Sequence, residues 1–178
     1  MMRFSAITRL ARVAAVVSAV TVASATAPLA SAPLAAQDTG IALGEKGPGG
    51  PLLTLEGKPV DLAGYLGKGP VVLEFWATWC GNCKQMEPAM RAAMKKYGAQ
   101  AQFITIAVSV NQSFERVKAW QKLNTLPGIM LFDKAGQVSG AYDAPATSYV
   151  VVLDKTGKVV YTGVGGSQNV DAAVRKAL

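Results

Sequence analysis

Histidine is absent from this chain of 178 residues, and cysteine occurs only twice, at Cys80 and Cys83. A closed tetrahedral zinc site needs four nitrogen or sulfur ligands, so these residues cannot build one. A covalently attached c-type haem needs His directly after a Cys-x-x-Cys pair, and Lys84 stands there. Two cysteines are also too few for a disulfide framework, and none is needed: 51% of the residues are apolar, enough for a full core. Charge is sparse at 16%, with no run of five basic residues, which argues against nucleic acid as a partner. The formal charge is +7, but Arg3, Arg9 and Arg12 lie in the first 36 residues with no acid among them; without that segment 15 basic residues face 11 acidic ones, a net of +4.

That first segment reads as an export signal. Three arginines precede a charge-free stretch, Val13 to Gln37, rich in Ala and Val and then in Ala, Ser and Pro. A positive start, an apolar middle and small residues before a cleavage point mark a secretory signal peptide. Cleavage after Ala36 leaves Gln37-Asp38-Thr39 as the mature start. The alternative is an uncleaved membrane anchor, since about 20 apolar residues can span a bilayer; Pro28, Pro33 and the shortage of Leu weigh against it. Export places the cysteines where a disulfide persists, so a periplasmic or other extracytoplasmic location is expected. Residues 37–50, with Gly40, Gly44, Gly47, Gly49 and Gly50, read as a flexible lead with too little apolar content to pack. Residues 51–178 form one folded domain of ordinary size.

Within that domain, Val71 to Trp76 is a buried-strand pattern, and Met86, Met90, Ala93, Met94 and Tyr97 repeat at helical spacing. Cys80 and Cys83 fall between them, on the first turn of the helix. Free amides and the helix dipole there favour a thiolate on the first cysteine. The second, three residues on, shares its face and can close a disulfide with it.

The run Trp76-Ala77-Thr78-Trp79-Cys80-Gly81-Asn82-Cys83 resembles the thioredoxin superfamily, specifically its exported TlpA-like or ResA-like thiol–disulfide oxidoreductases. The likeness covers about Pro51 to Leu178. It implies an α/β, thioredoxin-like three-layer fold, a mixed central sheet flanked by helices. It also implies that Cys80 is the nucleophile, exposed at the helix start, and that the more buried Cys83 resolves the mixed disulfide. The implied activity is protein-disulfide exchange, reductive in direction, towards apocytochrome c cysteines or misoxidised exported proteins. A membrane dithiol donor supplies the electrons, no cofactor or metal takes part, and the protein works as a monomer. The missing histidine removes the copper-delivery version of this fold. A peroxiredoxin has Pro and Thr seven and three residues ahead of its cysteine, where this chain has Leu73 and Ala77. A binding module that keeps the dithiol as a Cu(I) ligand or docking point is the alternative function.

Other positions follow from the same likeness. Glu74, six residues before Cys80, stands where related thioredoxins keep a buried acid. Without a cation its pKa should be raised, suiting proton exchange with Cys83; the alternative is a strand-end residue facing solvent. Trp79 flanks the cysteines, Trp76 belongs to the core, and Pro88 interrupts the helix ladder. The methionine stripe is core filling. The family carries a cis-proline facing the cysteines. An ungapped count puts Ser148 there, so a trans Thr147-Ser148 bond is expected; Pro145 fits only with a three-residue shift. Either way Ala146-Thr147-Ser148 should face Cys80.

Overall fold

The computed structural model describes residues 40–126 and 128–178. The signal-peptide or anchor reading of residues 1–36 lies outside the described residues. Among those described, no helix is long and apolar enough to cross a membrane.

Among the described residues seven strands form one sheet, β1 (Pro51–Thr54), β2 (Pro59–Asp61), β3 (Val71–Trp76), β4 (Gln102–Val108), β5 (Ile129–Asp133), β6 (Tyr149–Leu153) and β7 (Val159–Val164), in the order β2-β1-β5-β4-β3-β6-β7. The first two make an antiparallel hairpin, with Leu52 opposite Val60. Strand β3 runs parallel to β4 and antiparallel to β6, so the strand leading to the cysteines is the third from the β7 edge. Its six residues are all buried, as are the five of β6. Such strands read as continuous apolar runs because helices cover both faces.

Helices α1 (Gly81–Tyr97) and α4 (Val170–Arg175) lie on one face, where Met86, Met90, Ala93 and Tyr97 meet Val72, Val150, Val152, Val170 and Val174. Helices α2 (Phe114–Asn124) and α3 (Gln137–Ala141) lie on the other, through Val117 and Val138 against Leu73, Phe75, Ile106 and Val151. This is the expected three-layer, thioredoxin-like plan. The methionine stripe is core, with Met86 fully buried and Met94 packed at its margin. Helix α1 continues through Pro88, which has no N–H to give the Lys84 carbonyl.

The glycine-rich lead differs from the reading that it cannot pack. From Gly40 onward it lies against β6 and β7. Ile41 is buried, and its N–H donates to the Tyr142 carbonyl at 3.0 Å and to Tyr149 Oη at 3.1 Å. Gly44 donates to Val159 O at 2.8 Å, Val159 donates back to Glu45 O at 2.8 Å, and Gly47 donates to Gly157 O at 2.9 Å. The glycines are what allow this approach: a Cβ on Gly47 would stand 2.1 Å from the Leu153 side chain. Low apolar content conceals a strap held by backbone hydrogen bonds. Helix α3 was also not foreseen; it is one turn, held by the Asp133 carboxylate, which accepts from the Ser139 N–H and Oγ at 2.7 Å.

Candidate active site

The loop after β3 delivers Cys80 to the N-cap of α1. Cys80 has extended backbone angles, and its sulfur accepts a hydrogen bond from the Cys83 amide at 3.0 Å. An N-cap side chain that accepts from the third helical residue satisfies one of the free amides of the first turn. Here that acceptor is sulfur, and the same amide would stabilise a thiolate once the bond is reduced. The two cysteines are joined as a disulfide with a Cα–Cα distance of 5.3 Å. Cys83 is 2% exposed, as expected of the inner partner. Cys80 is only 7% exposed, less open than the helix-start position implied. Its access is through a cleft of about 250 Å³ whose walls include Trp79, Lys84, Glu87 and Trp120.

Glu74 lies behind the disulfide. Val72, Glu74 and Trp76 alternate onto the α1 face of β3 and, with Cys83, border a narrow cavity of about 20 Å³. The Glu74 side chain is therefore interior, 6% exposed, and does not face solvent. Burial, with a smaller contribution from the negative charge of Glu87, pushes its pKa up to about 8. At neutral pH the group is mostly a neutral acid, able to hand a proton to a departing Cys83 sulfur.

Trp79 is 43% exposed, and its indole N–H donates to the Val110 carbonyl at 2.9 Å. Trp76 is buried and packs its ring on Trp120 at 4.6 Å between centroids. Trp79, Val110, Pro145, Ala146 and Thr147 line a groove of about 260 Å³. Ser148 sits beneath them, fully buried, at the start of β6. Among the described residues no peptide bond is cis, and Ser148 takes a left-handed φ of 63°. A polar clasp holds it there: its N–H donates to Phe75 O at 2.8 Å and its Oγ to Gly165 O at 3.1 Å. Its carbonyl accepts from Gly165 N at 3.1 Å and Gln168 Nε2 at 2.9 Å. Pro145 stays on the groove wall, away from this position.

Gln112 escaped the sequence reading. It is buried after β4, accepting from the Thr78 N–H through Oε1 at 2.8 Å and donating through Nε2 to the Val108 carbonyl. It thereby ties the cysteine loop to the end of β4. A glutamine in a polar loop carries no signal of such a role. Among the described residues no cluster of three or more metal-ligating side chains occurs.

The match to known proteins agrees with this geometry. Residues 43–162 match the AhpC/TSA family. The thioredoxin-like protein YneN of Bacillus subtilis is 32% identical over 130 residues, 72% of this chain and 75% of that protein. The thiol-disulfide oxidoreductase ResA of Bacillus cereus is 32% identical over 123 residues, 69% of this chain and 70% of that one. Among solved structures, a thiol:disulfide interchange protein DsbE of Chlorobium tepidum superposes with a TM-score of 0.66 at 26% identity, covering 77% of this chain and 95% of that chain. The chain belongs to the AhpC/TSA family, as a thioredoxin-fold thiol–disulfide oxidoreductase of the ResA-like kind.

Proposed function

We propose that the protein is an exported disulfide reductase that works through Cys80 and Cys83. The Cys80 thiolate attacks a substrate disulfide, forming a mixed disulfide and releasing one substrate thiolate. Cys83 then gives its proton to Glu74 and attacks Cys80's sulfur, and the second substrate thiolate leaves. Two electrons pass to the substrate, and the enzyme is left with the disulfide present here. A membrane dithiol attacking Cys80 reverses the enzyme's half of the exchange, with neutral Glu74 protonating the departing Cys83. Substrates are exported proteins with unwanted disulfides, apocytochrome c among them. The signal peptide is removed near Ala36, and the mature protein acts as a monomer.

The observation that carries this reading is the Cys83 amide donating to Cys80 sulfur at the helix start, with a buried acid on the other side of the pair. The reductive direction is what the resemblance of the Trp76 to Cys83 run implies. The test is the reduction potential of the pair in glutathione and dithiothreitol buffers. A value near that of thioredoxin, about −270 mV, is expected; one near −120 mV belongs to an oxidant and would overturn the direction.

A further inference from the structure

Glu74 is 6% exposed and borders a narrow cavity, so its proton needs a way out. The cavity admits about one water molecule. Its charged or titratable neighbours all come from α1: Cys83, Glu87 and Arg91. Strand β4 adds Phe103, Ile104 and Thr105, and the segment after α2 adds Leu126, none of them charged. The cleft in front of Cys80 is bordered by Gly81, Lys84 and Glu87 of α1's first turns. Among the described residues two side chains border both spaces, Trp76 and Glu87, and of these only a carboxylate can take up and release a proton. Glu87 is also fixed in place. Arg91 Nε donates to its Oε1 at 2.8 Å, while Arg91 Nη2 reaches the Asn124 and Thr125 carbonyls at 3.4 and 3.3 Å. An exposed i,i+4 pair contributes little stability, whereas this one is anchored to α2 and spans the wall between cavity and cleft.

We propose that Glu87, held by Arg91, is a positioning residue that passes the proton of Glu74 between the buried cavity and the cleft before Cys80. The inference rests on the role given above to Glu74. In the reduced enzyme Cys83 must lose its proton to Glu74 before it can attack. Below about pH 8 most Glu74 is already neutral, so it must first release its own proton. That proton moves to the Glu87 carboxylate, then to water in the cleft. The Cys83 thiol proton then moves to Glu74, so atoms and charge balance with no further reactant.

The test is single-turnover reaction of the reduced protein with a peptide disulfide, followed by tryptophan fluorescence from pH 6 to 10. Wild type is compared with Glu87→Gln, Arg91→Met and Glu74→Gln. The relay requires Glu87→Gln to slow the resolving step about tenfold below pH 8 and to match wild type above pH 9, where Glu74 is already ionised. Arg91→Met should show a smaller loss with the same pH signature. A role as a neighbouring charge alone predicts the opposite sign: removing it lowers the Glu74 pKa and speeds the step below pH 8. A packing role predicts an equal change at every pH. Either result overturns the relay, as does a Glu87→Gln profile that superimposes on wild type. If wild type and Glu74→Gln have the same profile, the role of Glu74 itself fails, and the relay with it.

Discussion

A carboxyl group that ionises at about pH 8 inside the fold and near 4.5 in the unfolded chain makes stability depend on pH with a definite sign. Below pH 4.5 both states are protonated and the folded state has its full advantage. As pH rises towards 8 the unfolded chain gains from ionising and the folded one does not, so stability falls. Denaturant titrations of the oxidised protein from pH 4 to 9 should show a loss on the order of 2–4 kcal/mol across this window. Glu74→Gln should be flat there and more stable than wild type at pH 8. Ser148 offers a second residue-level prediction. Proline locks φ near −65° and has no N–H, whereas Ser148 holds φ at 63° and donates to Phe75 O. Supplying the family's proline through Ser148→Pro should therefore destabilise the protein by about 3 kcal/mol or more. Ser148→Gly should be near neutral, since about 1 kcal/mol of relieved backbone strain offsets a lost hydroxyl bond of similar size. Chemical denaturation of the two variants distinguishes them.

At the scale of elements, Gln112 and Trp79 tie the cysteine loop to the segment after β4. Gln112→Ala removes the partners of the Thr78 amide and the Val108 carbonyl together. Unsatisfied buried groups of this kind cost about 1–3 kcal/mol each. We expect a destabilisation of about 2–4 kcal/mol by urea unfolding, together with a change in Trp79 fluorescence, because Trp79 is tied to the same loop at Val110. The strand and helix around the cysteines could be read directly from β3's apolar run and the methionine spacing. Helix α3 could not: its five residues, Gln137–Ala141, have no apolar period, and the turn is held from the end of β5 by the Asp133 carboxylate on Ser139. The closing helix α4 is held by its cap. Asn169 accepts from the Ala172 amide at 3.0 Å, although the helix runs only from Val170 to Arg175.

For the whole molecule, the strap from Gly40 to Gly50 closes the β6–β7 side of the sheet. A chain beginning at Pro51 loses the buried Ile41 and the backbone bonds to Tyr142, Val159 and Gly157. It should be about 2–4 kcal/mol less stable than one beginning at Gly40, read as a lower thermal midpoint. If the two unfold together, the strap contributes nothing. The sequence by itself determined the strand–loop–helix unit, the positions of both cysteines and the class of chemistry. Those follow from local periodicity, helix-start electrostatics and the absence of histidine. Tertiary structure alone decided that Glu74 faces a cavity beside Cys83, that Ser148 sits left-handed in a polar clasp, and that a glycine-rich lead packs. Each of these depends on residues far apart in the chain meeting in space, and no local pattern records which partners will be there.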